Sequence, residues 1–572
     1  MSRTALTLQA LGERLAQPTR AMRNRLMAHR ARLGTRPQVA KTLPEPVLVG
    51  DADLGEGLIA GRWVARGRVT ELGAASIWQA RLADPVLEAE RQGCLWLDDL
   101  AALGRRAARE RAQSWVQDWI RRFGTGGGPG WTPEIAGRRT KRWTSHCAFL
   151  TEGLDRAAAD RFWFALAAQQ RYLAHTWGDA EEGLPRLRAL AGLVWSGVAL
   201  PNSGHRLAMV ELGLLAEALV DMEGATPSRS PEDLAEVLIL LIWTARLLEN
   251  AGQHAAPAHL AAIVRGVPIL RLQRMGDGSL ARFHGGGPGS ADRIDQALAE
   301  LRTGVQVRPK LPMGYARLAC GRAIVQMDGA APPGESHALT AHASALAFEM
   351  SLGRQAVVVN AGPGRGFGAP AAIAARQTAA HSTVEIGGAS SARIETRGLA
   401  ARTLGARLEA GPSLVSVRQA QDATGQWLLA THDGYAASHG MLHERRLFLD
   451  ARGHELRGED ILSVPDARAR ALFDRMAKGG KLGFAARFHL HPAVEAEFDA
   501  ARDLVALTLP SGEVWTFRAA GGALALDPAL YLDPSQPAPG QSRQLVVRAE
   551  VVDYLGQVIW SFNRVAEAPA AA

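Results

Sequence analysis

Residues 338–351 read ALTAHASALAFEMS, and residues 356–362 read AVVVNAG. Small and apolar residues fill both runs, and valines dominate the second, the pattern of strands buried on both faces. One histidine, His342, interrupts the first run. On a strand it shares a face with Ser344, Leu346 and Phe348. It is either a hydrogen-bonded core residue or part of a site.

Around these runs the apolar period stays at two from about Leu311 onward, in STVEIGG (382–388), SLVSVRQA (413–420), WLLATHD (427–433), RRLFLDARG (445–453) and ARFHLHP (486–492). Turn residues separate the runs at hairpin or longer spacing, which predicts stacked antiparallel sheets rather than alternating βαβ units. Between about Asp51 and Glu300 the spacing is helical instead, as in Trp115, Trp119 and Ile120; Leu207, Val210, Leu214 and Leu215; and Leu234, Leu238, Leu241 and Leu248. Gly- and Pro-rich breaks such as GTGGGPGW punctuate this half, which suits antiparallel helix pairs stacked in an array or ring. The expected organisation is a basic N-terminal arm (1–50), a helical domain (51–305) and an antiparallel β-sandwich domain (306–572), an α+β multidomain chain. Eleven of the fourteen tryptophans precede residue 244, so helical packing accounts for most of them.

At 572 residues the chain is long enough for more than one core. Its longest apolar runs, such as AEVLILLIW (235–243), fall far short of the roughly 18 residues that span a bilayer, so no transmembrane helix is expected. Residues 1–42 hold nine Lys or Arg and one acid, Glu13, and so carry the whole net charge of +8. The remainder is neutral overall, which argues against a nucleic-acid partner. The arm lacks a continuous apolar stretch and a small-residue cleavage site, making it a poor export signal. It reads as a solvated helix or as a contact for an anionic surface. Cys94, Cys147 and Cys320 have neither ligand nor redox spacing.

The string NAGPGRGFG (360–368) does not fit GxGxxG, because Phe367 takes a glycine position. No GxSxG, HExxH, paired CxxC or Walker sequence occurs. Histidines carry more information, since nine of the sixteen follow residue 330. HDGYAASHGMLHERR (432–446) gathers His432, Tyr435, His443 and Arg445, groups able to move protons or clamp a carboxylate. A turn and strand whose histidines only hydrogen-bond fits the same residues. WTPEIAGRRTKRW (131–143) sets Arg138 and Arg139, with Lys141 and Arg142, between Trp131 and Trp143. Cations for carboxylate or sulfate and flat rings for sugar faces suit an anionic glycan; the start of a solvated helix suits them too.

The order of parts, a helical half followed by AHASALAFEM, VVVNAG, AAHSTVEI and HERRLFLDARGHELRGEDIL, resembles the heparinase II/III-like family of polysaccharide lyases from about residue 90 to the C-terminus. The resemblance implies an incomplete (α/α) toroid followed by an antiparallel β-sandwich, with a polysaccharide cleft between them. It also implies β-elimination on uronic-acid polysaccharides, which needs carboxylate neutralisation, a base and an acid near the leaving oxygen. The chain departs from the family where that chemistry sits. In LPRLRALAGLVWSGVALP (184–201), Leu184 and Pro185 stand where the family has Asn and His. In EGATPSRSPEDL (223–234), Asp233 takes the tyrosine's place, and Thr340 replaces the first histidine of the H-x-H-x-D strand. The expected catalytic residues are then Tyr435 and His443 to move protons, with His432 beside them and Arg445 to clamp the carboxylate, and Arg138, Arg139, Trp131 and Trp143 are the expected glycan contacts. Family members that hold a metal use positions matching His342, Asn360 and His381, so one zinc ion is a possible cofactor. The alternative is an inactive protein that binds an anionic glycan in cell-envelope polysaccharide assembly. The resemblance points to the envelope or periplasm, the weak export signal to the cytoplasm.

Overall fold

The Thr132 side chain caps the helix Pro133–Ser145 by accepting the Ile135 N–H, and Pro133 suits its first turn. Gly137 of this helix lies against Gly192 of the helix Leu184–Ala199. A Cβ on Gly137 would meet the Arg188 carbonyl oxygen at 2.3 Å, so the two backbones touch and any larger residue would prise them apart. The computed structural model describes residues 3–202, 204–301, 310–477 and 481–565. Helices Arg106–Phe123, Arg156–Thr176, His205–Leu219, Pro231–Asn250 and Pro257–Gln273 continue the array, forming an incomplete (α/α) toroid. Tryptophans build much of its core. Trp96 packs edge-on against Trp115 at 5.2 Å and Trp119 against Trp143 at 5.3 Å, all buried.

The C-terminal half is an antiparallel sandwich. One eight-stranded sheet runs, in spatial order, 415–421, 425–432, 442–450, 455–463, 555–564, 514–520, 504–508 and 495–499. The other runs 523–531, 540–551, 482–490, 355–359, 348–352, 323–328 and 315–320, with 384–386 paired to 482–490. Phe348 stacks on Trp560 at 5.6 Å between the sheets, and Phe488 and Phe562 close the cluster.

Leu207, Val210 and Leu214, whose spacing marks a helix, are 64%, 51% and 54% exposed, while Ala208, Leu212 and Ala216 form the inward face of that helix. The boundary expected at 305/306 falls within 302–309, outside the described residues. Two expectations change. The helical half includes a hairpin, Arg62–Ala65 with Arg68–Glu71. The strand expected through His342 begins only at Phe348. Residues 341–347 are irregular yet buried, and Leu346 adopts a φ of +56°. A buried loop needs partners for its carbonyls, and side chains supply them: Arg376 to Ala341, Thr378 to Ala343, Thr383 to Ala345 and Arg445 to Leu346.

Candidate functional site

Between toroid and sandwich lies a cleft of about 2070 Å³. Its toroid wall comes from Pro133–Ser145, Leu184–Ala199 and Pro231–Asn250, which present Arg138, Lys141, Leu184, Pro185, Arg188, Glu232, Asp233 and Glu236. His337, Thr340, Arg365 and Arg407 form the sandwich wall. The N-terminal helix Arg3–Ala31 packs on both Arg156–Thr176 and Gly398–Leu404, one from each half, and its Glu13, Arg20 and Arg23 also line the cleft. Arg23 pairs with Asp179 at 2.9 Å. Leu184, Pro185, Asp233 and Thr340, the positions at which the chain departs from the lyase pattern, therefore converge on one cavity.

The charges of this cleft divide into paired and unpaired. Arg293 holds Glu236 at 2.7 Å with Arg188 at 3.6 Å, and these cations outweigh burial to keep the Glu236 carboxyl down at about 2. Glu232 accepts the Gly287 N–H at 2.7 Å. Asp233 is raised by burial, opposed by Ser228, Arg188, His337 and Arg365. Among the described residues, the Arg138 and Lys141 side chains make neither a hydrogen bond nor an ion pair; Lys141 sits 5.6 Å from the centre of the Trp195 ring. They are three positions apart, on one face of their helix. Burial, helped by the Arg142 guanidinium, pushes the Lys141 ammonium down to about 7. An unpaired guanidinium beside an amine that a bound anion would hold protonated forms a seat for a carboxylate or sulfate.

The other residues expected to contact glycan lie inside the toroid. Arg139 is fully buried, donates to Gln169 Oε1 at 2.6 Å and to the Gln92 and Gly130 carbonyls, and lies over Trp119 at 4.0 Å. Trp131 donates to the Phe123 carbonyl, and Trp143 is closed off from solvent. Arg139 and Trp143 share the inward face of the helix that turns Arg138 and Lys141 outward.

Tyr435, His443, Arg445 and His432 do come together, but in the sandwich interior, and none of the four lines the cleft. Gly434 N–H donates to His432 Nδ1, so His432 Nε2 carries its proton toward His443 Nδ1 at 3.1 Å, and His443 Nε2 donates to Asp460 at 2.8 Å. Arg445 clamps both oxygens of Asp460 at 2.7 and 2.9 Å and donates to the Leu346 and Ser382 carbonyls. Tyr435 donates to the Val384 carbonyl. Every member is satisfied by its neighbours, and burial holds His432 neutral.

His342, Asn360 and His381 are also neighbours, but their donor atoms are engaged. Gly285 N–H occupies His342 Nε2 at 2.9 Å. His342 Nδ1 therefore donates to His381 Nε2 at 2.9 Å, and His381 Nδ1 to the Gln377 carbonyl at 2.8 Å. Asn360 Oδ1 accepts the Ser382 N–H, and its amide donates to the Arg282 carbonyl. Neither imidazole has a lone pair left for an ion, and a single neutral amide oxygen does not make up for them, so this arrangement does not fit a zinc site. Among the described residues no group of three or more His, Cys, Asp or Glu has metal-binding geometry.

Residues 307–561 match the family described as Heparinase II/III-like, C-terminal. FtsZ-localized protein C of Caulobacter vibrioides is 33% identical over 481 residues, covering 82% of this chain and 80% of that one. The fold is shared with the crystal structure of heparinase III, at a TM-score of 0.69 and 12% identity over 95% of this chain and 89% of that one. It is shared also with the chondroitin AC lyase of Streptomyces coelicolor A3, at a TM-score of 0.50 and 12% identity over 96% and 83%.

Proposed function

Because the chain belongs to the heparinase II/III-like family, we propose that its cleft holds an acidic, uronic-acid-containing polysaccharide of the cell envelope without the family's elimination apparatus. The observation that carries this reading is the convergence of Leu184, Pro185, Asp233 and Thr340 on a cleft that keeps two unpaired basic side chains, Arg138 and Lys141. An apolar pair, a carboxyl and a threonine stand where proton transfer is expected, so the site keeps the means to bind and lacks the usual means to react. Fold alone does not supply an activity; the site does.

Lys141 favours a second reading, β-elimination through other residues. An amine pushed down to about 7 is poised to take the proton α to a sugar carboxylate. The lone pair left on that carbon would form the double bond as the glycosidic oxygen leaves, taking a proton from Asp233, which is raised by burial. Incubation with a panel of uronic-acid polymers, followed by ultraviolet absorbance of the unsaturated product, separates the readings. Retention of a polymer with no absorbance rise supports binding alone. A rise that Lys141→Met abolishes overturns it in favour of elimination.

The N-terminal helix supports a separate contact with an anionic surface. Leu8, Leu11, Leu15, Met22 and Leu26, 44% to 75% exposed, lie within one narrow arc on its outward face. Arg14 and Arg25 stand on one side of that arc and Arg30 on the other, while Arg23 is held by Asp179 on the cleft side. An apolar stripe between arginines suits a helix lying in an anionic lipid interface.

A further inference from the structure

A second apolar surface lies on the toroid, away from the N-terminal helix. Leu207, Val210 and Leu214 follow i, i+3, i+7 along His205–Leu219, and Leu260 and Val264 follow i, i+4 along Pro257–Gln273; their exposures run from 45% to 64%. The two helices touch, since a Cβ on Gly213 would stand 3.0 Å from the Ala256 Cβ. The two rows therefore belong to one surface. Scattered exposed leucines are ordinary, but adjoining rows on neighbouring helices mark a contact.

The charges beside this surface complement themselves. Arg206 and Glu217 lie eleven residues apart, three helical turns, and so fall on one line along the Val210 side of the stripe. Both are exposed, and among the described residues neither side chain makes a hydrogen bond or an ion pair. When two such helices cross antiparallel about a two-fold axis, Arg206 of each copy meets Glu217 of the other, with Val210 and Leu214 enclosed between the pairs. Glu211, on the opposite edge of the stripe, makes the patch a poor match for an anionic bilayer. We infer that this face docks a second copy of the chain, as an isologous two-fold dimer. Leu215, Ala218 and Leu219 of the same helix line the cleft. The two clefts thus open beside the shared interface, and one polymer chain long enough to enter both gains from the linkage.

Sedimentation velocity of the full chain across a concentration series tests the inference. The wild-type chain is expected to sediment as a dimer at micromolar concentration. V210E/L214E is expected as a monomer with an unchanged melting curve, because both side chains are on the surface. R206E and E217R alone should each raise the dimer dissociation constant about tenfold or more, and the R206E/E217R double variant should restore it. A wild-type monomer at every concentration, a dimer indifferent to all these changes, or a monomer that pellets with lipid vesicles through Val210 would each overturn the inference.

Discussion

At the scale of single residues, the set His432, His443, Arg445 and Asp460 explains why chemically suggestive side chains need not be catalytic. Asp460 is fully buried, and Arg445 and His443 outweigh burial in holding its carboxyl below the usual carboxylate range. Removing the guanidinium strands a charge in the interior. Arg445→Ala is expected to cost about 3–5 kcal/mol by urea unfolding, while the fraction that stays folded binds glycan as the wild type does. Lost binding at unchanged stability would return Arg445 to the functional site. Strand alternation in LHERRLFLD makes it legible that His443 and Arg445 share a face, but the direction of that face is carried by Leu447 and Leu449, two and four positions beyond Arg445. Both are buried, and they are the signal that the face turns inward. His337 and Arg365 in the cleft were hidden for a different reason. They sit on short 3-10 turns, Glu335–Leu339 and Arg365–Phe367, too brief to show a period.

At the scale of elements, the helical array and the strand-rich half were legible because each rests on a long, repeated apolar period. The run 341–347 was not. Its small apolar residues imitate a buried strand, while its backbone is satisfied by arginine and threonine side chains that arrive from distant parts of the chain. The helix Pro133–Ser145 was half legible: its cations are evident, but only the packing of Gly137 on Gly192 decides which of them face the cleft. The N-terminal helix gives a prediction at this scale. It should sediment with vesicles of anionic lipid and stay in solution with neutral ones, and Leu15→Glu with Met22→Glu should abolish the difference. Equal binding to both lipids, or binding untouched by the two substitutions, would contradict the account of its outward face.

At the scale of the molecule, buried neutral histidines tie stability to pH. Burial holds His381 down to about 3 and His259 and His489 to about 4, against an ordinary value near 6.5. Below that ordinary value the unfolded chain binds protons that the folded one refuses. Their contribution is complete above about pH 6.5 and falls with pH by about 1.4 kcal/mol per unit for each histidine. Melting temperature should therefore decline steadily from pH 6.5 to pH 4.5, and a flat profile would show that these groups take up protons without unfolding.

The two halves meet in one cleft, walled by Arg138 and Lys141 from the helical half and by His337, Thr340 and Arg365 from the sandwich half, a combination that neither half shows alone. The most direct measurement is calorimetric titration of the wild-type chain and of Arg138→Ala/Lys141→Ala with uronic-acid oligosaccharides at fixed ionic strength. The account predicts saturable binding by the wild type, weakened about 10-fold to 100-fold by the double substitution. An absence of binding, or equal affinity in the two proteins, would contradict it.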